Sequence, residues 1–255
     1  GWSAGETGVH AALCAKYSLG QVREALRRLK ARRRKRLREE SEVRRTHVVV
    51  HGAEVLWSVD ATQVGYVDGA VVQGQVVRDV GSTKVRALTL GGVVKAGDAL
   101  VALEAARKEA GTLPLALSMD NGSPYVSAAV QSYLRRHRVV VLRNLPYTPQ
   151  HNAWAERAIG ELKAESGLRG DTRLASIDEA AERLSKARTR LDRHRIRASR
   201  GGLTAEQCVR ALRGRYTAVP RARFYEAACA AIEAAVLGKT SARARRLAER
   251  AAIFE

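Results

Sequence analysis

Three acidic residues stand where acids have chemistry to do. Asp60 interrupts an apolar, β-branched run in Trp57-Ser58-Val59-Asp60-Ala61-Thr62, and a charge inside a hydrophobic strand is costly unless something compensates it. Asp120 follows an apolar run in Ser118-Met119-Asp120-Asn121-Gly122-Ser123. That is the carboxyl end of an expected strand, where open α/β sheets place ligands. Glu156 falls in the first turns of a helix expected from Asn152. Singly, each has a plain reading: a hydrogen-bonded buried acid, an Asp-Asn-Gly turn, an acid favoured by a helix dipole. Brought together, three carboxylates repel one another and hold their protons more tightly, and a bound cation reverses that. Their all-oxygen donor set suits Mg²⁺ or Mn²⁺. Two such ions, about 3.5–4 Å apart, clamp the attacking and leaving oxygens of an in-line phosphoryl displacement.

The surrounding residues are more specific than the acids. Trp57, Asp60 and Thr62 make W-x-x-D-x-T; Asp120-Asn121-Gly122 with Tyr125 makes D-N-G-x-x-Y. Pro146-Tyr147-Thr148-Pro149-Gln150-His151-Asn152-Ala153-Trp154-Ala155-Glu156-Arg157 approximates P-x-x-N-G-x-x-E-R, and Leu162-Lys163 follows it. Thirty-five residues separate Asp120 from Glu156. In this order and at this spacing, the set resembles the Asp-Asp-Glu transposase and integrase family, built on the ribonuclease H-like fold. Leu191-Asp192-Arg193-His194-Arg195 and Gly201-Gly202-Leu203-Thr204-Ala205-Glu206 resemble the tail of bacterial insertion-sequence transposases. The likeness covers residues 50–208. It departs at Ala153, where the family has Gly, and at Asp192, where it has Asn. Only His10 and Cys14 hint at the His/Cys zinc module that retroviral integrases carry, which favours the bacterial branch.

The resemblance implies a DNA transposase or integrase in which Asp60, Asp120 and Glu156 are catalytic and hold two Mg²⁺ ions, for which Mn²⁺ substitutes. Asp60 would bridge the ions, with Asp120 on one and Glu156 on the other. Cleavage at an element end would precede attack of the freed 3′-hydroxyl on target DNA. A homo-oligomer assembled on double-stranded DNA is expected. The competing readings are a nuclease of the same fold that does not join, and a domesticated or inactive DNA-binding protein.

The elements that must position these acids follow from periodicity. Val48 to Val50 and Val55 to Val64 alternate as strands; Ala70 to Val80 and Val85 to Leu90 complete a three-strand meander. A helix over 96–110, a strand over 115–119, a helix over 125–138 and a strand over 139–142 follow. Helices are expected from Asn152 to Gly167 and from Ile177 to Arg193. Three antiparallel strands followed by alternating helices and strands define a mixed α/β sheet. Along the Glu156 helix, Ala155, Ile159 and Leu162 form a core stripe. Glu156, Gly160 and Lys163 form a neighbouring strip, where Gly160 leaves room for a backbone to approach and Lys163 touches DNA. Arg157 is assigned to DNA with it. Asn121 and Asn152 are expected to be structural, as a turn residue and a helix cap. His151, Tyr147 and Trp154 are weaker candidates for DNA contact. Trp57 is assigned to the core, and Asp68, Asp79 and Asp98 to turns, a strand edge and a surface helix.

The flanks are basic. The 255 residues carry 45 Lys and Arg against 26 Asp and Glu, a net +19. A surplus this large calls for a polyanion, and nucleic acid is the commonest. Twelve cations crowd between Arg23 and Arg45 against four glutamates. Arg27, Arg32, Arg33, Arg34, Lys35 and Arg36 are expected on DNA phosphates rather than along a merely solvated linker. A short helix, a break at Tyr17-Ser18-Leu19-Gly20 and a basic helix resemble half a helix-turn-helix. We therefore divide the chain into a basic helical segment (1–46), a ribonuclease H-like core (47–200) and a basic helical C-terminal segment (201–255), with breaks at 214–220 and near Gly238. Three scattered cysteines form no zinc site or disulfide framework. No signal peptide or membrane-length apolar run is found, so a cytoplasmic, nucleoid-associated bacterial protein without membrane contact or small-molecule cofactor is expected. Gly1 without Met and the helical pattern at Glu255 suggest a piece of a longer protein.

Overall fold

The computed structural model describes residues 16–42, 49–145, 152–213 and 220–254, with the side chains of 33–42 outside that description. The chain divides into two compact units, 1–48 and 49–255. In the first, α1 (Leu19–Glu42) runs for 24 residues. Ser18 starts it as expected: Gln21 N donates to Ser18 Oγ at 3.3 Å while Ser18 N donates to Gln21 Oε1 at 2.8 Å. This reciprocal pair satisfies two donors that the first turn leaves open. Arg27 and Arg28 flank Glu24 at 2.7 and 2.8 Å, and Arg32 is exposed. Arg33, Arg34, Lys35 and Arg36 fall within α1, but their side chains lie outside the described residues, as does the helix expected before Lys16.

The second unit is built on a five-stranded sheet ordered β3-β2-β1-β4-β5. β1 (Leu56–Val67), β2 (Ala70–Asp79) and β3 (Val85–Gly91) form the antiparallel meander; β4 (Ala116–Met119) and β5 (Val140–Arg143) continue it in parallel with β1. Period-two alternation sorts the strand residues onto two cores. Trp57, Val59, Val77, Leu117 and Met119 face α2 (Ala96–Ala110), α3 (Ser123–Val126) and α4 (Ala128–Arg136). Val64, Val72, Val76 and Val85 face α5 (Ala153–Ser166) and α6 (Ile177–Thr189), through Ala158, Leu162, Ala180 and Leu184. The predicted stripe on α5 holds for Ala155 and Leu162, both buried, with Ile159 half-buried beside them.

Several boundaries differ from expectation. The helix expected over 125–138 is two helices, because Ser127 adopts ψ 147° and accepts from Val130 N at 3.4 Å, starting α4 afresh. Val49 and Val50 lie outside any strand, and residue 48 lies outside the described residues. The helix expected to reach Arg193 ends at Thr189 and gives way to a π turn over Arg190–His194, which buries Leu191 and Asp192. Thereafter come α7 (Ala205–Leu212), α8 (Arg221–Val236) and α9 (Ala242–Phe254). Gly238, at φ 74°, marks the expected break. Among the described residues no helix is long and apolar enough to cross a membrane.

Candidate active site

Strand register brings the two aspartates level. Ser58 of β1 pairs with Ser118 of β4 in parallel, so Asp60 and Asp120 each lie two residues further along adjacent strands. Val59 and Met119 point into the core under α2 and α4. Asp60 therefore takes the opposite face, across from Val76, under α5. The α5 helix packs on β1 and β2 and carries Glu156 in its first turn. Positions 60, 120 and 156 thus lie on one side of the sheet, near enough that the charges of Asp120 and Glu156 act on Asp60.

Hydrogen bonds fix the aspartates. Asp60 Oδ1 accepts from Ala61 N at 2.8 Å, and Asp60 Oδ2 accepts from Asn152 Nδ2 at 2.6 Å. Asp120 Oδ1 accepts from Gly122 N at 2.8 Å. A Cβ on Gly122 would stand 3.0 Å from that carboxylate oxygen, so a larger residue there would push the acid aside slightly. Glu156 is exposed at the rim. Burial pushes the Asp60 carboxyl up to about 6, and the negative charges of Asp120 and Glu156 add to the shift. The buried Tyr125 hydroxyl, 3.3 Å from Gln75 Oε1, is raised by burial and by the charges of Asp60 and Asp120. Both residues register a common field.

Asn152 corrects the sequence reading. It occupies the N-cap position of α5, but its side chain makes no capping bond; it reaches 92 residues back in sequence to Asp60. Among the described residues its buried Oδ1 meets no hydrogen-bond partner. Asn121 is likewise more than a turn residue: its Nδ2 donates to Asn144 O at 2.7 Å, tying the Asp120 loop to the end of β5. Asp79, expected at a strand edge, is fully buried and accepts from Ser82 N at 2.8 Å and Glu54 N at 3.1 Å. Of the expected DNA contacts on α5, Arg157 donates to Glu161 at 3.2 Å from an exposed position, and Lys163 is half-buried, its ammonium pKa lowered by that burial. A Cβ on Gly160 would meet nothing within 4 Å, so the space expected there is open. His151 and Tyr147 lie outside the described residues.

Among the described residues, no three His, Cys, Asp or Glu side chains stand close enough to hold a metal ion. In donor type alone the set suits a hard divalent cation: three carboxylates, with the Asn152 side-chain amide against one of them.

The Asp60 shift has a definite consequence for stability. A carboxyl in the unfolded chain titrates near 3.9; this one, when folded, titrates at about 6. The folded state favours the protonated form, so the contribution to stability is greatest below the unfolded value and falls as pH rises to the folded one. Two units correspond to roughly 2–3 kcal/mol. Asp192, also raised to about 6 by burial, acts with the same sign, so the measurement is a difference between variants. In buffer without divalent ions, Asp60→Asn should be about 2 kcal/mol more stable than the parent above neutral pH, and equal to it near pH 4. Urea denaturation checks this; a pH-independent difference would contradict it.

No protein-family model matches the chain, and no curated protein matches it. Solved structures do. A chain of the simian T-cell lymphotropic virus intasome, in complex with PP2A regulatory subunit B56 gamma, superposes with a TM-score of 0.54 at 21% identity. The match covers 67% of this chain and 58% of that one. The HTLV-2 integrase catalytic core domain in complex with magnesium gives 0.49 at 18% identity, over 62% of this chain and 97% of that one. The first likeness and the strand order agree on a mixed α/β, ribonuclease H-like fold.

Proposed function

We propose that the chain is a metal-dependent DNA strand transferase of the Asp-Asp-Glu type, which cuts the end of a mobile DNA element and joins it to target DNA. The observation that carries this reading is the Ser58–Ser118 register, which sets Asp60 and Asp120 side by side beneath the helix bearing Glu156. Asp60, Asp120 and Glu156 would hold Mg²⁺, which supplies charge neutralisation at the phosphoryl oxygens and lowers the pKa of a water nucleophile. Asn152 orients Asp60, and the Gly122 amide orients Asp120. Lys163 and the open face at Gly160 receive a DNA backbone beside Glu156. The α1 cations neutralise duplex phosphates, as a basic segment ahead of the catalytic core. Two element ends must meet one target, so a homo-oligomer on DNA follows. The tail motif supports an origin in bacterial insertion sequences, on chromosomal DNA.

A strand-transfer assay with Mg²⁺ tests the reading. Joined product is expected. Cut product alone would make the protein a nuclease, and neither product would refute the enzyme reading. Gly160 gives a second test. In a helix interior with open space around it, Gly160→Ala should raise the unfolding free energy by about 0.5–1 kcal/mol. The added methyl should also weaken DNA binding. Stability and affinity moving in opposite directions, by denaturation and fluorescence anisotropy, support the approach of DNA here; unchanged affinity contradicts it.

A further inference from the structure

The last helix, α9, docks beside the site, although the sequence gives no reason to expect it there. β5 is the edge strand of the sheet, and both α8 and α9 pack on it. Arginines make the attachment. Arg221, at the start of α8, donates to Pro114 O at 2.5 Å and to Leu113 O, just before β4. Arg250 of α9 is buried and donates to Arg143 O at 3.2 Å and Asn144 Oδ1 at 3.1 Å, satisfying acceptors where β5 ends. One helical turn before Arg250, Arg246 donates to the side-chain oxygen of Asn121, the neighbour of Asp120.

Arg243, Arg246 and Arg250 follow one another at i, i+3 and i+7, and so share a face of α9. Their exposure is graded: Arg250 buried, Arg246 half-buried, Arg243 exposed. Among the described residues, no carboxylate pairs with any of the three, and α9 as a whole carries four arginines against Glu249. Arg250 is consumed in docking the helix. Arg246 is bound to a neutral amide, which leaves its charge uncompensated one residue from a proposed metal ligand, and Arg243 extends the row into solvent. A planar guanidinium fork beside a phosphoryl-transfer site matches a phosphate oxygen pair in charge and in geometry.

We propose that Arg243 and Arg246 form a DNA-backbone contact along the Asp120 side of the active site, so that the C-terminal helix, docked by Arg250 on the edge strand, supplies one wall of the DNA path. This rests on the strand-transferase reading and places part of its substrate. The test is binding of the full chain to a duplex oligonucleotide across a range of salt. Removing one cation from a phosphate should lower the slope of log K against log salt by about 0.9, so Arg243→Ala and Arg246→Ala together should lower it by about 1.8. Arg246→Lys keeps a cation and should keep most of the slope. A helix that only covers the edge strand would lose thermal stability in Arg246→Ala with the slope unchanged. If Arg246→Ala fails to fold, the exposed Arg243→Ala still decides, with a fall of about 0.9 expected. A parent protein that binds and joins DNA, with variants that keep its slope, would overturn this contact and leave the enzyme reading intact. A parent that does not bind DNA would overturn both.

Discussion

Asp60→Asn is expected to lose DNA cleavage and joining by at least about 10³-fold, the equivalent of roughly 4 kcal/mol of transition-state stabilisation. The substitution is nearly isosteric. The remaining amide oxygen can still accept from Ala61 N, so the strand and its pairing with Val76 should persist. What goes is the one carboxylate that stands centrally, flanked by Asp120 along the sheet and by Glu156 from the helix above, and whose pKa both of them raise. Without it a divalent cation has two acids, one of them exposed, and weak attraction. DNA binding, carried by the basic residues, should be unchanged or tighter because a negative charge has been removed. The expected signature is therefore a variant that binds the duplex like the parent but forms no product at any Mg²⁺ concentration. Mg²⁺ should also raise the melting temperature of the parent and not of the variant, because a ligand stabilises only the state that binds it. Product formation at the parental rate by Asp60→Asn would remove Asp60 from the mechanism.

Much of this arrangement was legible in the sequence because it follows from local rules. Period-two runs with β-branched residues located β1, β2 and β3, and the apolar stripe of Ala155 and Leu162 placed α5 against the sheet with Glu156 beside it. Where local chemistry competes with periodicity, the reading slipped. Pro124 and Ser127 each favour a helix start, and together they divide what the apolar pattern joined. Asn152 shows the deeper limit. An Asn before a helix is rightly expected to cap it. The competing acceptor, Asp60, is distant in sequence, and only the packing of α5 on β1 brings it within reach. The docking of α9 on β5 was illegible for the same reason. Its anchors are arginines bonded to the Asn121 and Asn144 side chains and to the Arg143 carbonyl, acceptors about a hundred residues away that leave no mark on the local pattern.

The same limit hid the residue that holds α5 in place. Glu161→Ala should cost about 3–5 kcal/mol of stability, the usual penalty for breaking a buried ion pair from one side. Glu161 lies five residues after Glu156, on a different face of the helix. Its carboxylate accepts from Arg197 Nη1 and Nη2, each at 3.1 Å, and from Arg78 Nη2 at 3.1 Å, with Arg157 at 3.2 Å on the rim. Arg78 and Arg197 are buried, and burial, with the charges of Arg197 and Arg157 adding to it, pulls the Arg78 guanidinium down to about 10 despite the carboxylate beside it. Removing the acid strands two buried cations close together, which is why the expected loss exceeds that of an ordinary surface pair. It also removes the ionic tie of α5 to β2, which bears Arg78, and to the tail segment, which bears Arg197. Activity should fall through misplacement of Glu156 and Asn152 even where the variant remains folded. Chemical denaturation of Glu161→Ala beside the triple variant Glu161→Ala, Arg78→Ala, Arg197→Ala separates charge from packing. If stranded charge dominates, the triple variant recovers part of the loss, since its parts are far from additive. If the triple variant loses the sum of the three, the residues act by packing alone and the carboxylate is not what seats the helix.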